Sequence, residues 1–594
     1  MKKILDRITD EVKTAFTACG YDEKYAKVVV SNRPDLCQYQ CNGCMAAAKE
    51  YKKAPAIIAG EIVEKLASSS TFSKIEAVNP GFINMNLSGE FIAEYIRQMG
   101  SHEKFGCDET KKNKTIMLDY GGANVAKPLH VGHLRPAIIG ESLKRICAYN
   151  GYDTVGDVHL GDWGLQMGLI IMELKNRKPQ LPYFDDSFTG EYPAEAPFTL
   201  AELEDIYPCA SRKSKENAEF AEAAHQATVM LQRGHRGYTA IWKHIMNISI
   251  ADLKRNYDNL NVSFDVWKGE SDAKPYIDDM LKSFVDNGYA YESQGALVID
   301  VAEETDKKEI PPCIVRKSDG AALYATTDLA TMIEREKLYH PFKYIYTTDK
   351  RQEMHFTQIF RAAKKTGIVP QDTQMNFLGF GTMNGKDGKP FKTRNGDLLR
   401  LEYLIKDVED AVYNKIKENR DVADDEARQT AKVVGLAAIK YGDLSNQASK
   451  DYIFDIDRFT SFEGDTGPYV LYTIVRIKSI LNKYEQTYGE QKQSVADRMK
   501  DFVAPEGASE TDLCLLLTKF SEVIESAYAE LAPHKICKFI YDVANVFNSF
   551  YHDTKILSEE DEKKRNSYIA LIMLTKGILE TCTGLLAIKV PDRM

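Results

Sequence analysis

The distribution of apolar residues changes at Thr115, where strand-like and helix-like segments begin to alternate. TIMLDY, from Thr115 to Tyr120, is an apolar run of strand length. Apolar residues then recur at helical spacing, at Leu134, Ile138, Ile139, Leu143 and Ile146. Asn150-Gly151 is typical of a helix end, and YDTVGDVHL has the pattern of a second strand. This order predicts a βαβ unit, and therefore a parallel, Rossmann-like sheet with helices on its faces.

The first 110 residues follow a different pattern, and we interpret residues 1–110 as a small α+β domain. Amphipathic helices are predicted at the N-terminus and around Ala54 to Leu66. In the alternating run IEAVNPGFINMNL, Asn79-Pro80-Gly81 marks a turn between two strands. The polar stretch from His102 to Lys114 predicts a linker to the βαβ unit.

The rest of the chain divides into an interrupted α/β domain and a helical domain. Residues 175–260 are a charged, helical stretch that we interpret as an insertion, after which GALVIDV, YIYTTD and FLGFGTM resemble strands. Beyond about Leu399 nearly every segment has helical periodicity, which predicts a terminal all-α bundle. The predicted boundaries are therefore 111–450 for the α/β domain with its stem, and 451–594 for the bundle.

Composition and charge limit the possible functions. The 594 residues are 44% hydrophobic and 10% aromatic, as in an ordinary globular protein. No uninterrupted apolar run reaches the ~18 to 20 residues that a membrane span needs, and the N-terminus lacks the apolar core of a secretory signal. A net charge of -10 argues against a non-specific coat on nucleic acid, but not against a local basic groove. We expect a cytoplasmic protein.

The cysteines fit a reducing compartment, because there are 11 of them, an odd number. Cys37, Cys41 and Cys44 are spaced closely enough to suggest zinc. A structural zinc site needs four ligands, however, and the next cysteine, Cys107, stands alone. We therefore expect buried thiols and no protein-bound metal.

Two histidines stand where the first strand of the βαβ unit leads into its helix. Phosphates favour helix N-termini beyond the carboxyl ends of parallel strands, and His130 and His133, at i and i+3, can donate hydrogen bonds there. Gly132 between them would allow a nucleotide to approach the backbone. A pair of capping or surface histidines is an equally good interpretation from spacing alone, and a metal-binding pair is a weaker one.

The surrounding residues resemble one enzyme family. ANVAKPLHVGHLR is similar to the HIGH signature of class I aminoacyl-tRNA synthetases, in the form found in the arginyl enzymes. The resemblance covers nearly the whole chain, because further family motifs follow in order: GDWGLQMG, ALYATTDLA, RQEMHFTQIF, the stem KYGDLSNQASKDYIFDIDRFTSFEGDTGPYVLY and the terminal VPDRM. It implies a terminal bundle that binds the anticodon and an N-terminal domain that contacts tRNA.

The second class signature, KMSKS, is altered in this chain. GKDGKPFKTRNGD keeps Lys389 and Lys392 but lacks the Met-Ser pair. The resemblance implies a loop that brings ammonium charge to the leaving pyrophosphate. A solvated basic turn is the alternative, favoured by the surrounding glycines, and the order of the motifs favours the loop.

The resemblance also implies an arginine-binding pocket, which must supply carboxylate, amide and phenol acceptors to a planar guanidinium. Its residues would be Asp119, Asn124, Tyr324, Asp328 and Gln352. Asp119 or Asp328 pairs with the guanidinium, and the sequence does not decide which. Asn124 would hold the α-amino or carboxylate end. Taken singly, Asp119 could equally be a capping or loop carboxylate, and Tyr324 a core aromatic.

The implied reaction is the ATP-dependent ligation of L-arginine to tRNA(Arg) through arginyl-adenylate. ATP is a substrate with Mg²⁺ on its phosphates, and the residues expected to bind or stabilise it are His130, Gly132, His133, Lys127, Lys389 and Lys392. Aromatic residues among cations suit anticodon recognition in the last domain; the candidates are Tyr469, Tyr472, Arg476, Tyr551 and Met594. Core packing is the alternative for the tyrosines. We expect a monomer without an obligate protein partner.

Three rival functions remain at this point. A tRNA-binding relative that has lost catalysis is disfavoured by the retained histidines and lysines. A small-molecule nucleotidyltransferase is disfavoured by the long helical terminal domain. Another class I synthetase is the nearest rival, and the predicted arginine-binding residues argue against it.

Overall fold

A computed structural model describes residues 1–318, 323–389, 391, 399–419, 421–489 and 493–594. The N-terminal region packs helices on one sheet, and both helices predicted there are present. Its elements are α1 (Ile4–Ala18), β1 (Val28–Val30), β2 (Tyr39–Cys41), α2 (Cys44–Tyr51), α3 (Pro55–Leu66), β3 (Phe72–Val78), β4 (Phe82–Leu87) and α4 (Gly89–Ser101).

The sheet of this region is antiparallel, with the order β1-β2-β4-β3. The predicted turn at Asn79-Pro80-Gly81 joins β3 to β4. Ile4, Ile8 and Val12 recur at helical spacing along α1 and are buried against the sheet side of the domain. Residues 102–114 then form an irregular connection to the next strand.

The central sheet is parallel, as predicted, with the order β11-β10-β5-β6. Its strands and their helices are β5 (Thr115–Asp119), α5 (Leu134–Tyr149), β6 (Asp153–Asp157), α6 (Leu165–Arg177), and, after an insertion, α11 (Tyr324–Tyr339), β10 (Lys343–Asp349), α12 (Glu353–Lys365) and β11 (Gln374–Phe380). The chain runs from β5 outward to β6 and later returns on the other side as β10. The strand order therefore reverses between β5 and β10, where a ligand crevice is expected.

The insertion is helical, as predicted, and it is followed by a separate small sheet. Its helices are α7 (Leu200–Glu216), α8 (Ala218–Gln232) and α9 (Arg236–Asn259), followed by α10 (Lys274–Asp286). GALVIDV contains a strand, but that strand belongs to an antiparallel sheet of order β7-β8-β9 and not to the central sheet. The three strands are β7 (Tyr291–Ser293), β8 (Ala296–Ile299) and β9 (Cys313–Arg316).

After Leu399 the described chain is almost wholly helical, as predicted. Its helices are α13 (Leu401–Asn419), α14 (Asp424–Leu444), α15 (Ile456–Phe459), α16 (Gly467–Tyr488), α17 (Val495–Arg498), α18 (Ala508–Leu517), α19 (Phe520–Ala529), α20 (Pro533–Asp553) and α21 (Glu562–Leu585). The exception is a two-residue pairing of β12 (Met383–Asn384) with β13 (Tyr452–Ile453). In length and composition α21 could cross a membrane, but most of it is buried in the bundle, as in a core helix.

A buried ion pair joins the central sheet to the helical region. Arg135 on α5 donates through Nε to Oδ2 of Asp443 on α14 (2.9 Å), and its Nη1 donates to the carbonyls of Gly381 (2.7 Å) and Lys450 (3.1 Å). Tyr452 donates to the same Asp443 oxygen (2.8 Å). Both charged side chains are at most 2% exposed. One guanidinium therefore fixes α5, the end of β11 and the stem relative to each other.

Removal of the carboxylate should destabilise the protein. Asp443→Ala leaves the buried Arg135 guanidinium without a counter-charge, which costs about 3 to 5 kcal/mol. Arg428→Ala, on the same helix, breaks an ion pair to Asp424 whose side chains are more than half exposed, and should cost at most about 1 kcal/mol. Chemical denaturation of the two variants measures both values, and equal losses would contradict the role assigned to the buried pair.

Candidate functional site at the carboxyl edge of the sheet

A cavity of about 790 Å³ opens where the strand order reverses. Its walls come from the segments that follow three neighbouring strands: residues 119–136 after β5, 347–352 at the end of β10, and 380–383 after β11. It includes five of the residues singled out in the sequence, together with Gly132: Asp119, Asn124, His130, His133 and Gln352. The volume is in the range of small-molecule sites.

The two histidines form the turn that begins α5. The main-chain N–H of Gly132 donates to Nδ1 of His130 (3.0 Å), and the main-chain N–H of His130 donates to Nδ1 of His133 (3.1 Å). The ring centroids are 3.9 Å apart, and the ring planes are tilted by 35°. The capping interpretation is therefore correct for Nδ1 of both rings, and it leaves Nε2 of each for another partner.

These bonds fix the protonation of the turn. Because each Nδ1 accepts a hydrogen bond, the proton of each neutral ring is on Nε2. Burial lowers the pKa of His133 to about 3, with the neighbouring His130 and Lys127 adding to the effect. Burial and Lys127 also lower the pKa of His130. At neutral pH the turn therefore presents two uncharged Nε2–H donors.

A glycine is needed at position 132 because the His130 ring lies close to it. A Cβ at this position would lie 2.8 Å from Cε1 and 2.9 Å from Nδ1 of His130. The sequence suggested that the glycine makes room for a nucleotide. The structure shows that it also makes room for the imidazole that caps the turn.

Asn124 is held against the loop after β6. It pairs with Gly161 in a single bridge, and a Cβ on Gly161 would lie 2.4 Å from the Asn124 Oδ1 atom. The first glycine of GDWGLQMG therefore allows the side chain of Asn124 to take its place beside the cavity. Gln352 closes the opposite side, in the short turn between β10 and α12.

Asp119 ends β5 and is not a loop or capping carboxylate. Its Oδ2 accepts a hydrogen bond from Nη2 of Arg335 on α11 (2.6 Å), and the same Nη2 donates to Oδ2 of Asp157 (2.7 Å). Burial raises the pKa of Asp119, while Arg335 acts in the opposite direction. Arg335 and Asp157 were not among the residues predicted from the sequence. Arg335 follows Asp328 by seven residues, a helical spacing that could have indicated a shared face.

Tyr324 and Asp328 lie one turn apart at the start of α11, as predicted. Tyr324 is 74% exposed, so it is not a core aromatic. Asp328 and Nε2 of His355 are 2.7 Å apart.

Burial raises the pKa of the nearby Glu270 to about 7, although His159 opposes the shift and Asp162 and Asp328 add to it. Glu270 was also missed in the sequence.

Neither Lys127 nor Lys389, the two predicted lysines among the described residues, lines the cavity. The Lys127 ammonium is 4.6 Å from the ring centre of Tyr207, on α7 of the insertion. Lys389 is exposed in a tight turn in which the Gly385 N–H donates to its carbonyl (2.8 Å). Lys392 lies outside the described residues.

The lysine-bearing segment is connected to the histidine turn by main-chain bonds. Val131 donates to the carbonyl of Leu399 (3.0 Å), and Leu401 donates to that of Leu129 (3.0 Å). Before the segment, β12 pairs with β13 of the stem. Both flanks of the segment are therefore anchored, one at the cavity and one at the stem.

Three of the predicted RNA-contacting residues form one cluster in the helical region. The Arg476 guanidinium lies 4.8 Å from the ring centre of Tyr472 and 5.3 Å from that of Tyr551, which is 41% exposed. Tyr469 is connected to the cluster through Asn548, which donates to its hydroxyl (2.9 Å). Met594 packs, partly buried, against the bundle.

Cys37, Cys41 and Cys44 are buried free thiols, as expected. Across the described part of the chain no three side chains of the kinds that bind metals come together. Within the described residues the histidine pair is therefore not part of such a cluster.

Comparisons with known proteins agree along the whole chain. The family model described as "tRNA synthetases class I (R), catalytic domain" matches residues 96–456. The model "Arginyl tRNA synthetase N terminal domain" matches residues 2–87, and "DALR anticodon binding domain" matches residues 470–594.

Individual relatives match at full length. Arginine–tRNA ligase of Agathobacter rectalis is 60% identical over 602 residues, with 100% of both chains covered. That of Alkaliphilus oremlandii is 55% identical over 594 residues, again covering 100% of both. The solved structure of arginyl-tRNA synthetase from Plasmodium falciparum is 24% identical and covers 100% of both chains with a TM-score of 0.78, a similarity of fold.

The buried neutral imidazole predicts a specific loss of stability in acid. The folded pKa of His133, about 3, lies below its unfolded value of about 6.5. Between these values the unfolded chain binds a proton that the folded chain does not, so stability falls as pH decreases from 6.5 toward 3. His133→Gln keeps an Nε2 donor without titrating. Its unfolding free energy should therefore fall less steeply with decreasing pH than that of the unaltered protein, by up to about 1.4 kcal/mol per pH unit. Denaturant titrations at pH 6.5, 5.5 and 4.5 measure this, and parallel profiles would contradict the burial of an uncharged ring.

Proposed function

The chain belongs to the arginyl-tRNA synthetase family and catalyses the ATP-dependent ligation of arginine to tRNA; we propose that the cavity beside the histidine turn holds both small substrates. The observation that carries the proposal is the juxtaposition of two kinds of groups in one cavity. Uncharged Nε2–H donors lie on the side of α5, and carboxylate and amide oxygens lie on the side of β5 and β10. The first set suits phosphate and the second a guanidinium.

In the proposed reaction the triphosphate of ATP lies along the histidine turn. The carboxylate of arginine attacks the α-phosphate, a bond to pyrophosphate breaks, and arginyl-adenylate forms. The substrate is its own nucleophile, so the protein contributes alignment and stabilisation of the charge that develops on phosphate oxygens. His130 and His133 would donate hydrogen bonds to these oxygens. Lys127, Lys389 and Lys392 would add positive charge near the leaving group.

The arginine substrate is proposed to lie between β5 and α11. Asp119 and Asp328 would face its guanidinium, while Asn124 and Gln352 would hold the amino acid backbone. Tyr324, which is largely exposed at the first turn of α11, would cover the substrate. The geometry supports Asp119 as a guanidinium partner, because only its Oδ2 atom is bonded to Arg335 and its side chain is 14% exposed at the cavity.

Transfer to tRNA is proposed to use the helical region as the anticodon reader. The terminal ribose of tRNA would attack the adenylate through its 2′-hydroxyl, as in other class I enzymes. The Tyr472–Arg476–Tyr551 cluster offers the exposed ring of Tyr551 beside the half-buried Tyr472 and Arg476, a surface on which unstacked bases can pack. Tyr469 and Met594 flank this surface in our proposal.

Several further features complete the proposal. Mg²⁺ would arrive as the counter-ion of ATP, bound to its phosphates. The domain boundaries are 1–110, 111–450 and 451–594, with the insertion at 175–260. The enzyme would act in the cytoplasm as a monomer without an obligate protein partner.

The proposed role of the histidine turn predicts that a substitution there lowers kcat and leaves the KM for arginine almost unchanged. His133→Ala should lower kcat of tRNA-dependent ATP–pyrophosphate exchange by about 100-fold or more, because it removes a donor to charge that forms in the transition state. The KM for arginine should change by less than about threefold, because the ring does not contact the amino acid. Lys392→Ala should show a smaller loss, since Lys389 and Lys127 share its charge. Unchanged exchange by His133→Ala would reject the assignment.

Substrate selection predicts the outcome of exchange assays across the amino acids. Arginine should support exchange, and only with tRNA present, as we expect for this family. Lysine should not, because an ammonium lacks the planar fork that two carboxylates can bind. The assay is run with and without total tRNA. Comparable rates for lysine and arginine would refute the proposed pocket.

A further inference from the structure

A row of three polar side chains crosses the central sheet beside the cavity. Asp157 on β6, Asp119 on β5 and Tyr346 on β10 are register partners of one another. Partners in a parallel sheet point to the same face, and neighbouring strands are about 4.8 Å apart. Two carboxylates therefore stand side by side at the edge of the substrate pocket, on adjacent strands.

The guanidinium of Arg335 covers this row. Its Nη2 donates to Asp119 (2.6 Å) and to Asp157 (2.7 Å), and its Nη1 donates to the hydroxyl of Tyr346 (3.0 Å). Arg335 is only 2% exposed, so its charge is compensated by these partners and not by water. The spacing from Tyr324 and Asp328 to Arg335, eleven and seven residues, puts all three on one face of α11.

The arrangement has two consequences for the substrate pocket. When both acids are ionised, the two acids and one guanidinium carry a net charge of -1, which attracts the positive charge of an arginine side chain. In addition, Arg335 bonds to one oxygen of Asp119 only: within the described chain Oδ1 has no hydrogen-bond partner, and Asp119 lines the cavity. A carboxylate held at one oxygen by a buried guanidinium presents its other oxygen in a fixed direction.

We propose that Arg335 is a positioning residue for arginine recognition, which fixes Oδ2 of Asp119 so that Oδ1 meets the guanidinium of the substrate. This inference rests on the proposed function of Asp119. It differs from a purely structural role, in which Arg335 would do no more than neutralise the buried Asp157.

Three variants of the full-length enzyme separate these roles in tRNA-dependent ATP–pyrophosphate exchange. Arg335→Lys keeps the charge but lacks the planar fork that holds Asp119, Asp157 and Tyr346 in one geometry, so the KM for arginine should rise at least about tenfold. The KM for ATP and kcat should stay within about threefold. The double variant Arg335→Met/Asp157→Asn removes both members of the buried charge pair, so neither of these charges is left unpaired and the net charge of -1 is kept. It should also show the raised KM for arginine, because Asp119 is no longer held.

Restoration of the normal arginine KM in the double variant would overturn the proposal, since Arg335 would then only balance Asp157. An equal rise in the KM values for arginine and ATP in Arg335→Lys would overturn it as well. If the double variant does not fold in a thermal melt, the split of KM values in Arg335→Lys decides alone.

Two controls complete the experiment. Arg361 on α12 bonds to Asp306 at 2.6 and 2.7 Å, outside the cavity. Arg361→Lys alters this arginine–carboxylate pair and should leave the arginine KM unchanged. Asp119→Asn tests the underlying function. If it leaves the arginine KM unchanged, Asp119 does not bind the substrate and both proposals fail. If it raises the KM while the Arg335 variants do not, only the present inference fails.

Discussion

The site depends on the parallel direction of four strands. Because β5, β6, β10 and β11 all run the same way, their carboxyl ends lie at one edge of the sheet. Segments more than 200 residues apart in the chain, from Asp119 to Met383, therefore meet around one cavity. The reversal of strand order between β5 and β10 leaves the space that the cavity occupies. An antiparallel sheet of the same strands would separate the histidine turn from the residues after β10 and β11.

Two buried guanidinium groups hold this edge of the sheet together, and each connects a different set of structural elements. Arg335 connects three strands of the sheet to α11 and holds Asp119, which lines the cavity. Arg135 connects α5 to Asp443 on the stem and to the carbonyl of Gly381, and so fixes the histidine turn relative to the helical region. A buried ion pair adds little net stability, because desolvation offsets most of its attraction. What it adds is a defined geometry, since an unpaired charge in either position is strongly unfavourable.

The local features of the site were predicted from the sequence. Contacts between residues far apart in the chain were not. The histidine turn, the strand that ends at Asp119 and the helical pairing of Tyr324 with Asp328 follow from spacing within a few residues. Arg335 and Asp119 are 216 residues apart, so periodicity could not connect them. The role of Gly132 was only partly predicted, because its contact with the His130 ring depends on a side-chain rotamer. The exposure of Tyr324 is likewise set by tertiary packing, which amphipathic spacing does not report.

In the proposed reaction, the uncharged state of the histidines would make the lysines necessary as well. Two imidazolium rings with centroids 3.9 Å apart would repel each other, and burial adds to the cost of charging them. The turn can therefore offer fixed hydrogen bonds to phosphate, but no positive charge. A triphosphate that loses pyrophosphate needs both, because charge moves toward the leaving group. Lys127 lies close enough to lower the pKa of both histidines, so in our proposal it supplies that charge from beside the turn.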